Sequence, residues 1–513
     1  MTETVDHALL EKFEREIWNK IPHLEDEGGR IANATPLVDL TQDFKECAKS
    51  VFKMDLDNKD LKIYGKFDSE LFGGSIKVRA ASHIIREAIK SGKCNKKRVV
   101  IEATSGNFGI ALGLLSRLGV TVVVLVSRKL QEGVFKELRD ENIRIMDLDM
   151  DICPAPGMEN MADELAAKAT AANVRSQLTG MGFDPEIFDK NIDEIEALLA
   201  RQDIINLARF LAEIYSMFCP KQYDNELNID IHNTVTAPEI DQQLHDNVDS
   251  LEGYELICSF GTGGTSGGLS KYMYEKYNKK AVHVVFPPHG QDVAGIRTRS
   301  KAEGLTLYNP EAYTEHVVDF EKAKFLLKFF VDRGHDIGES TALELYAALE
   351  MANAGLGSKF VIMVADGIEK YRKNFEQISQ DRLPIRISLD DAVSAANEYD
   401  RIVWVHTQYT PKEEGIEMIA KSLGVDKSKI AVPKAGTISQ LLSTREIPEE
   451  LSKEFGGSNG KSLLVCMAGN TSFMTAQVLA SSGILTQSLD GGITDLPEGR
   501  GKNPSEYIQV ARE

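Results

Sequence analysis

Residues 98 to 126 read RVVIEATSGNFGIALGLLSRLGVTVVVLV, and the folding logic of most of the chain is visible in them. At either end, Arg98–Ile101 and Thr121–Val126 are short runs dominated by β-branched residues. Such side chains suit a pleated surface better than a helix, so both runs predict strands. Between them comes a glycine turn and then Phe108–Leu118, an apolar segment of helical length. Strand, helix and strand in this order make a parallel crossover. Strands apolar on both faces belong to a sheet that helices cover on both sides.

The same rhythm continues outward. A helix near Leu130–Arg139 leads to a strand at Ile143–Met146, and further strands are expected at Glu255–Ser259, Val282–Phe286 and Phe360–Val364. Each is bordered by helical pattern, which makes the fold class α/β with mostly parallel sheets. Two stretches break the rhythm. Glu159 to Met217 has no strong strand run and reads as several helices, either an inserted cap or part of the main core. Ser379 to Pro384 is polar and ends in proline, which places a domain boundary near residue 382. Beyond it, strands at Arg401–Val405 and Ser462–Val465, with helices near Lys412–Leu423 and Thr471–Ser481, predict a smaller α/β unit. The expected domains are therefore 1–380, with the helical insertion at about 159–217, and 385–513.

Composition narrows the function classes. The 513 residues are 42% hydrophobic and 27% charged, which fits a globular protein of two or more domains. Asp plus Glu (78) exceed Lys plus Arg (59), a net charge of -19 that repels a phosphate backbone, so no nucleic acid is expected as a partner. Met1 to Trp18 is acidic and lacks an apolar core, unlike a signal peptide. Apolar runs such as Val120–Val126 fall far short of the roughly 20 residues that span a bilayer, so no membrane is expected. Cys47, Cys94, Cys153, Cys219, Cys258 and Cys466 stand singly, with no metal-ligand spacing. Free thiols, no metal and a cytoplasmic location follow as expectations.

Four short segments before residue 380 carry chemistry. Gly73-Gly74-Ser75-Ile76-Lys77 delivers a lysine from a glycine turn onto a helix start; alone, that lysine reads as a solvated charge. Thr104-Ser105-Gly106-Asn107-Phe108-Gly109 joins a buried strand to a helix, where exposed amides suit a carboxylate or phosphate, or simply cap the turn. Gly261 to Gly268 reads GTGGTSGG between a strand and a helix, a phosphate nest or a flexible turn. It matches neither GxGxxG nor GxxxxGK[ST]. Gly338-Glu339-Ser340-Thr341 opens a helix running to about Asn353, with Ser340 as a possible N-cap.

Together, in order and type, these segments resemble the pyridoxal-phosphate enzymes of the tryptophan-synthase-β fold type, and the cysteine synthase family in particular. The resemblance runs from about Ala34, where ATPLVDL is similar to the family's NTPLV, to about Tyr371. It implies a two-lobed fold and pyridoxal 5'-phosphate as cofactor. By carry-over, Lys77 would form the Schiff base and later shuttle the α-proton. Asn107 would bond the cofactor's ring oxygen, and Gly261, Thr262, Gly263, Gly264 and Thr265 would hold its phosphate. Thr104, Ser105, Gly106 and Asn107 would hold the substrate carboxylate together with Gln222, which lies in PKQYDNELN upstream of a TGPEI-like TAPEI. Ser340 would face the pyridine nitrogen. A neutral hydroxyl there leaves the nitrogen largely unprotonated, which favours loss of a β-leaving group over a strongly stabilised carbanion.

Departures surround the substrate positions. Leu71 to Arg79 lacks the family's usual Asn-Pro before the lysine and Asp after it, and Thr341 stands where cysteine synthases have glycine. The resemblance implies β-replacement on O-acetylserine or O-phosphoserine through an aminoacrylate, giving cysteine or a related sulfur amino acid. A desulfhydrase or dehydratase that only eliminates is the alternative reading, and a non-catalytic sulfur-responsive scaffold is another. The fold type commonly forms dimers, so a homodimer is implied.

The second unit has its own candidate. Cys466-Met467-Ala468-Gly469-Asn470-Thr471-Ser472 follows a strand and precedes a helix, and Ser488-Leu489-Asp490-Gly491-Gly492-Ile493 comes later. A cysteine in a loop of amides before a helix is placed for a lowered thiol pKa, though a buried inert thiol has the same look. The run resembles the active-site loop of rhodanese domains, and LDGGI resembles their LEGGI. By that resemblance Cys466 would be catalytic, carrying a persulfide from a sulfur donor. Met467 and Thr471 replace frequent arginines, and Trp404-Val405-His406-Thr407 replaces a usual Asp-Val-Arg, which argues against thiosulfate.

Overall fold

A computed structural model describes residues 4–25, 29–56, 60–104, 106–126, 131–148, 164–247, 249–289, 291, 293–372, 375, 386–405, 409–434, 437–444, 447, 451, 455, 461–467, 469–481, 484–498 and 506–510. Ser105, Cys153, residues 159–163 and 379–384, His406, Thr407 and Ala468 thus lie outside the described residues. Contacts divide the chain into two compact units. The first takes Met1–Met150, Val174–Lys190 and Ile204–Phe375; the second takes Asp151–Asn173, Asn191–Asp203 and Glu376–Glu513.

The strands of the two larger sheets of the first unit are β1 (Leu37–Asp39), β2 (Lys62–Phe67), β3 (Val100–Ala103), β4 (Val122–Val126), β5 (Arg144–Asp147), β6 (Glu255–Ser259), β7 (Val282–Phe286), β8 (Thr314–Val317) and β9 (Lys359–Val364). A six-stranded sheet has the order β8-β7-β6-β9-β2-β1, parallel except for β1 against β2. A second sheet, β3-β4-β5, is fully parallel. The predicted crossover is present: β3, then a helix at Asn107–Ser116, then β4 buried along its whole length. The helical reading of the insertion holds for its described residues, with helices at Glu164–Gly180, Pro185–Lys190, Ile192–Ala200 and Ile204–Ile214. The last of these packs on β3, whose edge also receives Phe218: the Ile101 amide donates to Phe218 O at 2.9 Å. That end of the insertion is core rather than cap.

Labelling the helices that matter below, α1 is Lys77–Lys90, α2 Asn107–Ser116, α3 Ala237–Asp246, α4 Gly264–Tyr277 and α5 Glu339–Ala354. A fully buried ion network ties the first of them in place. Arg79 on α1 donates Nε and Nη2 to the two Asp68 oxygens, each at 2.7 Å, and Nη1 to Glu239 Oε2 on α3 at 2.7 Å. Lys66 on β2 donates to the other Glu239 oxygen at 2.5 Å and to Thr35 O at 2.7 Å. Two cations meet two carboxylates with no exposure at all, so each buried charge faces an opposite one.

The second unit is built on the parallel sheet β10-β14-β13-β11-β12, where β10 is Arg386–Ile387, β11 Arg401–Trp404, β12 Ile430–Ala431, β13 Lys461–Val465 and β14 Leu485–Leu489. Helix Glu413–Leu423 and α6 (Asn470–Ser481) flank it, and Trp404, Ile419, Leu463 and Val465 form its core. Among the described residues no helix is long and apolar enough to cross a membrane. Cys47, Cys94, Cys219, Cys258 and Cys466 are free thiols.

Candidate active site

The predicted segments of the first unit converge at the carboxyl ends of the strands, where ligands of parallel sheets bind. Lys77 is the first residue of α1, delivered by a turn in which Gly73 (φ +108°) and Gly74 (φ +71°) take left-handed conformations closed to other residues at little cost. Its amine lies near the glycine loop: a Cβ on Gly261 would stand 3.4 Å from Lys77 Nζ. Burial pushes the Lys77 amine below its usual pKa, against the opposing pull of Asp366. A lysine held toward its neutral form is a nucleophile rather than a salt-bridge partner.

The loop Gly261–Thr265 opens α4 with the conformation expected of a nest. Gly263 is left-handed (φ +94°), and a Cβ there would meet Leu307 O at 2.5 Å. A Cβ on Gly264 would collide with Asn228 Oδ1, and Asn228 Nδ2 in turn donates to Thr262 Oγ1 at 3.0 Å. Thr265 is braced from behind by His232, whose Nε2 lies 3.3 Å from Thr265 Oγ1 and whose Nδ1 lies 3.0 Å from Thr236 Oγ1. His232 begins a π-helical turn, His232–Thr236, and Gly268 leaves room for its Cβ.

Burial, followed by the Arg79 and Lys77 charges, holds the His232 ring down to a pKa of about 3. In the unfolded chain an imidazole takes its proton near 6.5. Between these values the unfolded state binds more protons, so stability falls as pH drops from about 6.5 toward about 3. A His232→Gln variant is expected to lose this component, whose slope approaches about 1.4 kcal/mol per pH unit. Denaturant midpoints at pH 7 and pH 5 measure it; an unchanged pH difference in the variant would remove His232 as the cause.

Asn107 starts α2. Its Nδ2 donates to Asp366 Oδ2 at 2.6 Å and lies 3.3 Å from the Tyr371 hydroxyl, while its Oδ1 accepts from Lys370 Nζ at 2.9 Å. Tyr371 also donates to Asp366 Oδ2, and burial together with the Asp366 charge pushes its phenol pKa well up. Gly106 precedes α2 at φ +129°. Thr104 Oγ1 accepts from the Gly106 and Gly109 amides at 3.1 and 3.2 Å, so its oxygen shapes this turn. Gln222 Nε2 donates to Ala103 O at 2.9 Å, and its backbone amide to Glu102 Oε2 at 3.1 Å. Burial pushes Glu102 up to about 7.

Ser340 is buried in the first turn of α5, but it is not the cap: Gly338 holds that position, and Ser340 O accepts from Ser259 Oγ at 3.1 Å. Asp366 occupies the space a Cβ on residue 338 would need, so the residue at the cap is glycine. Asp366, Lys370 and Tyr371 were not among the predicted site residues. Asp366 follows β9 and touches three arms of the site, the Ser75 turn, Asn107 and the Gly338 cap. It bridges Ser75, its carbonyl accepts from Gly338 N at 2.8 Å, and Ile76 N donates to the neighbouring Ala365 O at 2.8 Å. A cavity of about 310 Å³, lined by Gly73, Gly74, Ile110, Glu137, Asp336 and Lys370 among others, borders this cluster.

These residues fit a phosphorylated ring cofactor. The glycine loop is a cradle in which side chains would clash, at the start of a helix whose first amides have no intrahelical partners. Ser75 Oγ and Thr341 Oγ1, beside Lys77 and Ser340, are buried without a hydrogen-bond partner, as polar atoms awaiting a polar ligand would be. The family model of pyridoxal-phosphate dependent enzymes matches residues 35–366.

The chain belongs to this family. As a pyridoxal-phosphate dependent enzyme it is 26% identical over 320 residues to the O-acetylserine dependent cystathionine beta-synthase of Bacillus subtilis, covering 60% of this chain and 87% of that one. It is 25% identical over 355 residues to the cystathionine beta-synthase of Saccharomyces cerevisiae, covering 67% and 59%. In fold it is similar to the crystal structure of an O-ureido-L-serine-bound mutant of O-ureido-L-serine synthase, with a TM-score of 0.50, 20% identity, and coverage of 71% of this chain and 95% of that one.

In the second unit of this enzyme, Cys466 directly follows β13, the central strand. It is buried, accepts a hydrogen bond from Ser472 Oγ at 3.3 Å, and its carbonyl accepts from Ile493 N at 2.9 Å. Ser472 is paired with Ser488 at 2.8 Å. Gly492 (φ +58°) packs on the Cys466 carbonyl so closely that a Cβ would collide with it. Described residues of both predicted segments therefore meet at Cys466, Gly492 and Ile493 on its carbonyl and Ser472 on its thiol.

Proposed function

We propose that this enzyme catalyses β-replacement on an activated serine, O-acetylserine or O-phosphoserine, to make cysteine or a related sulfur amino acid. The observation that carries the reading is a lysine amine held toward neutrality beside a glycine nest, with a neutral serine, Ser340, at the start of α5. Relatives named as an O-acetylserine dependent cystathionine beta-synthase and a probable cysteine synthase support the choice of substrate. Bound pyridoxal phosphate supplies an electron-withdrawing ring that makes an amino acid's α-hydrogen acidic and lets a β-substituent leave. Lys77 would anchor it and move the α-proton at Nζ. Asn107 would hold the ring oxygen, Gly261–Thr265 the phosphate and Ser340 the pyridine nitrogen. Thr104, Gly106 and Gln222 would frame the carboxylate. The test adds each ester with sulfide to the cofactor-loaded protein and identifies the product. A product that retains its amino group supports replacement; pyruvate and ammonia with both esters would establish elimination instead.

The second unit, on this proposal, is a rhodanese-like domain in which Cys466 carries sulfur as a persulfide. A parallel sheet with the thiol at the end of its central strand, inside a loop closed by Gly469 and Gly492, supports it. Delivering the outer sulfur as a thiol takes two electrons from an added thiol reductant and returns Cys466 to its thiolate. A Cys466→Ser variant is expected to keep product formation from free sulfide and to lose at least about tenfold with a persulfide donor plus reductant. Equal rates with both sulfur sources would dismiss the role.

A further inference from the structure

We propose that Asp366 and Lys370 are positioning residues that fix the amide of Asn107, so that its nitrogen rather than its oxygen is presented to the cofactor's ring oxygen. The proposal rests on the assignment of Asn107 to that oxygen. An Asn side chain has two chemically opposite ends of nearly equal shape, and packing alone does not choose between them. Here charge chooses. A carboxylate accepts from Nδ2 at 2.6 Å and an ammonium donates to Oδ1 at 2.9 Å, and a flip would set oxygen against Asp366 and nitrogen against Lys370. Nδ2 carries two hydrogens: one stays on Asp366, and the other, which faces the Tyr371 hydroxyl at 3.3 Å, would turn to the ring oxygen.

Both clamps are themselves held. Asp366 takes the Tyr371 hydroxyl on the same Oδ2, and its backbone is fixed by Gly338 N and by the bridge to Ser75. Lys370 is buried, donates also to Gly74 O at 3.0 Å and has Glu137 Oε2 at 3.9 Å. Its ammonium therefore joins the turn that delivers Lys77 to the amide of Asn107. On this proposal both act through Asn107, the residue whose amide they hold.

The experiment is a double-mutant cycle on the full-length chain titrated with pyridoxal 5'-phosphate, reading the dissociation constant and the pH midpoint of the bound cofactor's visible band. Lys370→Met is expected to weaken cofactor binding about tenfold and to shift the band's pH midpoint, because a hydrogen bond to a charged group is lost. In an Asn107→Ala background the same substitution should change neither quantity. Effects of equal size in both backgrounds, or none in either, would overturn the proposal. Failure of the underlying assignment looks different: Asn107→Ala by itself would bind the cofactor with unchanged affinity and band, which would also overturn the proposal. If Lys370→Met does not fold, Lys370→Gln carries the same comparison.

Discussion

A Lys77→Ala variant should lose activity by about a thousandfold or more while keeping, or slightly raising, its resistance to denaturant. The two halves of this expectation come from one fact. Lys77 is a buried amine whose neighbour Asp366 is already engaged with Asn107 and Tyr371, so folding desolvates it without giving it an ion pair of its own among the described residues. Removing a poorly compensated buried amine relieves that cost. The catalytic loss has no such compensation, because among the described residues no other amine is placed against Gly261. Reconstitution with pyridoxal phosphate should give no visible band in the variant, and the unfolding midpoint should equal or exceed that of the parent. A variant that retains the band, or one that melts much earlier, would mean that Lys77 is structural.

Arg79, two residues further along α1, should behave in the opposite way. Replacing it with Met is expected to cost about 3–5 kcal/mol of stability, since Asp68 and Glu239 would be left sharing Lys66 in a site whose side chains are fully buried. Lys at this position should rescue little: its single ammonium cannot reach both Asp68 oxygens and Glu239 Oε2, which the guanidinium fork contacts together. Urea unfolding of the two variants checks this, and midpoints within experimental error of the parent would show that the network is not holding α1. Lys77 and Arg79 therefore separate cleanly, one residue costing function and the other stability, although they share a helical turn.

Much of the fold could be read before the structure, and the parts that could not share a cause. Strands such as Val122–Val126 and Val282–Phe286 are apolar runs whose meaning does not depend on distant residues. The interior strand Lys62–Phe67 went unread because Gly65 and Lys66 interrupt its pattern; Lys66 is buried opposite Glu239, far away in the chain, which neutralises it. Thr314–Val317 is a polar edge strand with no apolar run to announce it. The same division runs through the site. Lys77, Asn107 and the glycine loop stand out as local motifs, and the structure brings Lys77 to the loop. Asp366, Lys370 and His232 do not, because each matters through a partner more than thirty residues away in sequence: Asn107 for the first two and Thr265 for His232. The usable signal for Asp366 was its position immediately after a predicted strand, where parallel sheets place their functional loops.

The end of β9 makes the spacing between three reactive positions insensitive to the motion of any one element. Ser75 and Ile76 ahead of Lys77, the amide of Asn107, and the Gly338 cap ahead of Ser340 are all fastened to Ala365 and Asp366. Drift of this strand end is common-mode: it carries the three together and leaves their separations intact. The phosphate cradle is anchored elsewhere, on Leu307, Asn228 and His232. The two frames are nevertheless tied together, because β6, which leads into the cradle, pairs with β9, and Ser259 at its end donates to Ser340 O.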